Sequence, residues 1–254
     1  MQYTEVTFRF SFSEPWQQDV FIQGLADMGF ESFEGDTAYI STTLFRLPLL
    51  QQYVTDNGQE IVSVKQCTDT NWNAAWEAEH GIVQLPYNIV IHPQGAFGAG
   101  DHATTSMMLD AIAAEGTEIV GKQVLDMGCG TGVLGIMAAK QGAAYVIAVD
   151  IDERAVASTK ANAALNNTKI DAIQGAALPA GLFHYILANI HRNILLSLLP
   201  SFYTSLHQGG KLMLSGFYEN DINTLVDTAE KKGFSHIGTR STGEWRMITL
   251  QKTK

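Results

Sequence analysis

The stretch VLDMGCGTGVLGIMAAK, residues 124–140, is typical of a buried strand, a glycine turn and a helix in immediate succession. Gly128, Gly130 and Gly132 remove three Cβ atoms at the turn, where the backbone approaches a ligand and can need a positive φ. The helix is predicted to begin at residue 132 or 133. This order of elements is typical of a nucleotide-binding unit.

A second strand, YVIAVD, ends at Asp150, eighteen residues after Gly132. A carboxylate at this point can accept hydrogen bonds from the two hydroxyls of a ribose. The spacing therefore predicts an adenosine-containing cofactor.

The identity of that cofactor depends on Asp126. Gly130, Gly132 and Gly135 also satisfy the dinucleotide pattern G-x-G-x-x-G, which is weak evidence when taken alone. However, Asp126 stands before the first glycine. It could meet the ammonium of a methionine moiety, directly or through water, and it would repel a pyrophosphate. The pattern favours S-adenosylmethionine, with a nicotinamide enzyme or a glycine turn without ligand as the alternatives.

Two further segments are candidates for the site. The strand YILAN ends at Asn189, whose amide needs partners for a donor and an acceptor, and this position would lie beside the transferable methyl group. The alternative is a cap for the next helix. The loop HPQGAFGAGDHATT, residues 92–105, could fold over the cofactor, or Asp101 or Thr104 could simply cap a helix. His102 is either a proton acceptor or a structural loop residue.

Composition limits the class of protein. The chain has 254 residues, 46% hydrophobic and 17% charged, with no apolar run long enough to span a membrane, so a globular cytoplasmic protein is expected. Cys67 and Cys129 form no disulfide framework or metal motif, and no metal is predicted. The net charge of −10 disfavours nonspecific nucleic-acid binding.

The chain divides by pattern into three parts. Residues 1–66 show a β-α-β-β-α-β order, which predicts a ferredoxin-like domain. They carry nine acids and three bases, which suits docking of a basic macromolecule or an ordinary solubilising surface. Residues 67–84 are predicted as a helical linker, in which Trp72 and Trp76 share a face. Residues 85–254 alternate strands and helices, which predicts an α/β, doubly wound, mostly parallel sheet.

These segments together resemble the bacterial ribosomal protein L11 methyltransferase family, PrmA. The resemblance is carried by AFGAGDHATT at 96–105, VLDMGCGTGVLGI at 124–136, AVDID at 148–152, LANI at 187–190 and EWRMITL at 244–250. It covers the whole chain in domain order, because that family joins a small ferredoxin-like substrate-recognition domain to a class I methyltransferase domain through a helical linker.

The resemblance implies a protein N-methyltransferase that modifies lysine side chains and the N-terminal amine of ribosomal protein L11. The chain is separately expected to be a monomer. It implies S-adenosylmethionine contacts by Thr105, Gly128, Asp150 and Asn189, with Phe97 on the loop over the methionine part. Asn189 is the expected catalytic residue. The alternatives are a methyltransferase for another substrate, or a noncatalytic S-adenosylmethionine-binding interaction module. Adenine contacts near residues 171–184, and roles for His191 and Arg192, stay unassigned.

Overall fold

The computed structural model describes residues 3–12, 15–67, 81–93 and 102–253. The chain divides into two compact units, residues 1–72 and 73–254, and the division falls inside the stretch predicted as a linker. Trp72 and Trp76 lie outside the described residues. The prediction of a helix over residues 67–84 is wrong at both ends, because residue 67 ends a strand, residues 81 and 82 are not helical, and residues 83 and 84 begin another strand. Residues 68–80 lie outside the described residues, so a helix there stays a prediction.

The first unit has the predicted β-α-β-β-α-β order. Its elements are β1 (Tyr3–Arg9), α1 (Pro15–Asp27), β2 (Phe30–Glu34), β3 (Thr37–Ser41), α2 (Leu47–Asp56) and β4 (Glu60–Cys67). The sheet is antiparallel in the order β2-β3-β1-β4, as in a ferredoxin-like fold. Phe21 and Leu25 of α1 join Leu50 and Val54 of α2 in a single core over one face of the sheet.

In the second unit, the first two described strands form a short antiparallel hairpin, and alternating helices and strands follow. Its elements are β5 (Val83–Leu85), β6 (Ile89–Ile91), α3 (Ala103–Glu115), β7 (Gln123–Met127), α4 (Val133–Lys140), β8 (Tyr145–Asp150), α5 (Glu153–Leu165), β9 (Asp171–Gln174), β10 (Phe183–Asn189), α6 (Arg192–Ser205), β11 (Leu206–Tyr218), α7 (Ile222–Glu230), β12 (Phe234–Thr242) and β13 (Trp245–Lys252). Strands β7 to β13 form one seven-stranded sheet in the order β12-β13-β11-β10-β7-β8-β9.

This sheet confirms the predicted doubly wound architecture. The five strands from β7 to β11 are parallel, whereas β13 runs antiparallel to both β11 and β12. One core lies between the sheet and α3, α4 and α5, and the other lies between the opposite face and α6 and α7. The sequence patterns missed β12, because it is an edge strand whose side chains are mostly exposed.

Candidate functional site

The glycine turn has the predicted backbone conformation. Gly128, Gly130 and Gly132 have φ values of +77°, +53° and +80°, and α4 begins at Val133. A Cβ at Gly128 would lie 2.3 Å from Cγ2 of Ile190, and one at Gly132 would lie 2.7 Å from a side-chain carbon of Thr159. These two glycines therefore make room for neighbouring protein side chains, whereas the sequence pattern predicted only close approach to a ligand.

The N–H groups of this turn are bonded within the protein. The N–H groups of Gly128 and Cys129 donate to the carbonyl of Val149 at 2.8 and 3.1 Å. The N–H of Gly130 donates to Oδ2 of Asp150 at 3.0 Å. The N–H of Gly132 donates to the carbonyl of Cys129 at 2.7 Å. A dinucleotide-binding turn directs such groups at a pyrophosphate. Their use here disfavours the nicotinamide alternative.

Asp126 occupies the start of α4 in place of an external anion. It is 1% exposed, and its Oδ2 accepts a hydrogen bond of 2.9 Å from the N–H of Gly135. Burial raises the pKa of Asp126 to about 7, the bond from Gly135 opposes that rise, and the charge of Asp150 adds to it. Its Oδ1 is buried and has no hydrogen-bond partner among the described residues. This oxygen can accept from a cationic ligand group.

Asp150 lies at the carboxyl end of β8 and is held by two backbone donors. The N–H of Asp152 donates to Oδ1 at 3.0 Å, and the N–H of Gly130 donates to Oδ2. A carboxylate has about four lone-pair sites, so each oxygen can accept one further bond. The geometry thus leaves Asp150 able to accept the two ribose hydroxyls that its position predicts.

Asn189 ends β10 directly beside the glycine turn, because Ala188 pairs with Met127 of β7. Its Nδ2 donates to Oγ1 of Thr104 at 3.1 Å and lies 3.5 Å from Oγ1 of Thr105. Its Oδ1 is buried, without a hydrogen-bond partner in the part of the chain that the structure describes.

Asn189 does not cap the next helix, since His191 holds the N-cap position of α6. Only three buried side-chain oxygens within residues 3–12, 15–67, 81–93 and 102–253 lack a partner, and they belong to Asp126, Asn189 and Gln141. Asp126 and Asn189 lie near the carboxyl ends of the neighbouring parallel strands β7 and β10, and so at the same end of the sheet. These two oxygens could accept hydrogen bonds from a polar ligand.

The start of α3 differs from the sequence prediction. His102 is the N-cap residue, and its Nδ1 accepts from the N–H of Thr104 at 3.3 Å, so Thr104 is not the cap. Thr104 is fully buried and bonded to both His102 and Asn189. Sequence reasoning assigned it no site role, although its neighbour Thr105, also buried, was expected to contact the cofactor.

Helix α5 supplies a second group of residues that sequence reasoning missed. Thr159 donates to the carbonyl of Gly130 at 3.0 Å, and Nδ2 of Asn162 donates to the carbonyl of Thr131 at 3.0 Å. Asn162 also bonds both backbone groups of His92, with its Oδ1 accepting at 2.8 Å and its Nδ2 donating at 3.1 Å. The Asn162 side chain therefore joins the glycine turn to the first residue of the candidate loop.

The structure describes some, but not all, of the other residues that the sequence singled out. Phe97 and Asp101 lie outside the described residues. Cys129 is buried and contacts the Thr159 hydroxyl at 3.2 Å, and burial raises the pKa of its thiol, which disfavours a thiolate nucleophile. Arg192 pairs with Asp221 at 2.6 Å. Across the described ranges, no helix is both long and apolar enough to cross a bilayer.

Comparison with known proteins gives consistent matches. The family model described as ribosomal protein L11 methyltransferase (PrmA) matches residues 84–253. A curated ribosomal protein L11 methyltransferase of Porphyromonas gingivalis is 39% identical, over 91% of this chain and 89% of its own. Another, of Phocaeicola vulgatus, is 35% identical over 98% of both chains. The crystal structure of ribosomal protein L11 methylase from Lactobacillus delbrueckii subsp. bulgaricus matches with a TM-score of 0.58 at 29% identity, over 63% of this chain and 82% of that one.

Proposed function

Because the chain belongs to the ribosomal protein L11 methyltransferase (PrmA) family, we propose that it transfers methyl groups from S-adenosylmethionine to amines of ribosomal protein L11. The proposed targets are lysine side chains and the N-terminal amine. The observation that carries this proposal is a pair of buried oxygens, Asp126 Oδ1 and Asn189 Oδ1, which have no hydrogen-bond partner among the described residues and lie at the carboxyl end of the parallel strands.

The residues at this end of the sheet fit the cofactor. Asp126 Oδ1 would accept a hydrogen bond from the methionine ammonium, and Asp150 would accept the ribose hydroxyls. The rest of the cofactor would contact Gly128, Gly130 and Thr105. Phe97 would cover its methionine part. When bound, S-adenosylmethionine supplies an electrophilic methyl group.

The protein's own task is to deliver a neutral amine in the correct orientation. A lysine with a pKa near 10.4 is neutral in only about one molecule in a thousand near pH 7.4, whereas an α-amino group near 7.8 is about one-third neutral. Asn189 Oδ1 would accept an N–H of the amine and so direct the nitrogen lone pair at the methyl group. Burial of that oxygen strengthens the bond, because water does not compete for it.

The first unit would dock the protein substrate. Residues 1–66 carry nine acidic and three basic residues, and this balance suits a basic partner. We place the enzyme in the cytoplasm as a monomer that binds neither membrane nor nucleic acid.

The deciding experiment is incubation of the purified chain with methyl-labelled S-adenosylmethionine and ribosomal proteins that lack prior methylation. Mass spectrometry of every protein should find added methyl groups on L11 alone. Label on a different protein would move the assignment to another substrate. Cofactor binding without label on any protein would favour the noncatalytic binding module.

A further inference from the structure

We infer that His102 is a positioning residue that fixes the orientation of the Asn189 amide through the hydroxyl of Thr104. This inference deepens the proposed function and rests on it. The three side chains form one continuous series of hydrogen bonds, 2.7 Å from His102 Nδ1 to Thr104 Oγ1 and 3.1 Å from there to Asn189 Nδ2.

The direction of each bond follows from what each atom can do. The backbone N–H of Thr104 donates to His102 Nδ1, so that nitrogen is an acceptor and carries no proton. The Thr104 hydroxyl has one hydrogen, which therefore goes to Nδ1 at 2.7 Å. Toward Asn189, Oγ1 of Thr104 therefore offers only lone pairs and can act only as an acceptor. Asn189 must then direct its NH₂ group at Thr104.

This directionality decides which end of the Asn189 amide reaches the site. An asparagine amide can rotate by half a turn and exchange its oxygen with its nitrogen at little steric cost. If the Thr104 hydrogen were free to point at Asn189, the amide oxygen could accept it. The NH₂ group would then occupy the place of the buried, unpartnered Oδ1. A donor at that place would oppose the N–H groups of an incoming amine.

His102 itself is anchored on its other side. Its ring meets the ring of Trp245 edge to face, with centroids 4.8 Å apart, and Trp245 in turn lies 4.3 Å from the ring of Tyr218. These contacts fix the plane of the imidazole, and hence the direction of the Nδ1 lone pair. Contacts from Trp245 through His102 and Thr104 thus set the orientation of the Asn189 amide at the end of β10.

Two pairs of variants separate positioning from other roles. His102→Asn keeps an acceptor at the δ position and a good N-cap, whereas His102→Gln moves the polar atoms to the ε position. Thr104→Ser keeps the hydroxyl, whereas Thr104→Val removes it but retains the backbone N–H that bonds to the His102 cap. A general-base role for His102 would be lost in both of its variants.

The measurements are kcat and the KM for S-adenosylmethionine with L11, together with hydrogen exchange of the Asn189 side-chain NH₂ by NMR in the full-length protein. We expect His102→Gln and Thr104→Val to lower kcat about 10- to 100-fold, with KM changed less than about threefold. The Asn189 NH₂ should exchange at least about tenfold faster in both variants, because its bond to Oγ1 is weakened in His102→Gln and absent in Thr104→Val. His102→Asn and Thr104→Ser should recover most of both properties.

Equal loss of kcat in His102→Asn and His102→Gln would overturn the inference in favour of proton transfer by His102. Unchanged exchange of the Asn189 NH₂ in Thr104→Val would overturn it as well. If the wild-type protein methylated nothing, the proposed function would fail, while the exchange rates would still decide whether His102 orients Asn189.

Discussion

Asp126 and Gly135 are joined by a hydrogen bond of 2.9 Å that runs from the third N–H of α4 to a carboxylate on β7. The bond links the end of β7 to the first turn of α4 across the glycine turn. The carboxyl group of Asp126 is buried beside an apolar core. Ionising a carboxyl group away from water is unfavourable, so its effect on the free energy of unfolding depends on pH.

We expect Asp126→Asn to stabilise the cofactor-free protein at pH 8. The pKa of Asp126 is raised to about 7 in the folded protein, above the ordinary aspartate value of 3.8. The folded state therefore binds the proton more tightly, and the wild type loses stability as pH rises from about 4 to about 7. Thermal melts of both proteins at pH 5 and pH 8 should show a larger gain at pH 8.

The same substitution should weaken S-adenosylmethionine binding at least about tenfold, because Asn lacks the charge that, in the proposed site, faces the ammonium. Calorimetric titration measures this effect. Equal affinity in both proteins would exclude Asp126 from the methionine contact.

Asn189→Ala should lower kcat at least about 100-fold with little change in melting temperature, because it removes the proposed amine acceptor. Asp150→Ala should instead act mainly on the KM for S-adenosylmethionine. Asn193→Ala, an asparagine on α6 that contacts Arg192, is the matched control. Full activity in folded Asn189→Ala would refute its catalytic role.

Gly128→Ala should destabilise the protein by about 2 kcal/mol or more, because it adds a side chain at φ +77° and 2.3 Å from Ile190. Gly128→Ala should cost less when it is added to Ile190→Ala than when it is added to the wild type, because the clashing Cγ2 is then absent. Urea unfolding of the two single variants and the double variant separates the cost of the clash with Ile190 from the cost of backbone strain. If the cost were the same in both backgrounds, backbone strain alone would explain it.

Asn162→Leu should weaken both folding and cofactor binding. It breaks bonds to the glycine turn and to His92, with a stability cost of about 2 to 4 kcal/mol. Asn166→Leu is the matched control, because Asn166 bonds Val90 on the same segment without contact to the turn. Denaturation and calorimetry should show lost stability in both variants and lost affinity only in Asn162→Leu.

The KM for L11 should rise several-fold between about 50 and 300 mM salt, because docking on an acidic unit is screened by ions. The KM for S-adenosylmethionine should change little over the same range. A truncation lacking residues 1–66 should bind cofactor but lose methylation of L11. Salt-independent KM for L11, or undiminished methylation by the truncated chain, would remove the docking role.

The sequence predicted those parts of the site that depend on local patterns. The glycine turn, the start of α4 at Val133 and the ends of β8 and β10 each follow from a few consecutive residues. What it missed depends on partners distant along the chain. Thr104 meets Asn189 across 85 residues, and Asn162 meets His92 across 70. The spacing of Asn162 and Asn166 by four residues, in an alanine-rich helix, was the one available signal.

The cap of α3 was missed for a related reason. Sequence preferences favour Asp or Thr at an N-cap, whereas the imidazole of His102 provides the same acceptor geometry. Strand β12 was missed because an exposed edge strand shows little of the apolar alternation that identifies buried strands.

The placement of β13 between β11 and β12 has a consequence for synthesis. Among the described strands, β12 pairs only with β13, so it cannot join the sheet before β13 has been made. Translation from Tyr218 to Trp245 takes about one to five seconds, during which β11 is an unpaired hydrophobic edge. A nascent chain stalled in this interval would expose Leu212 and Leu214, both fully buried in the finished sheet. We expect such a fragment to aggregate more readily than the finished protein, because an unpaired strand edge can pair with another chain.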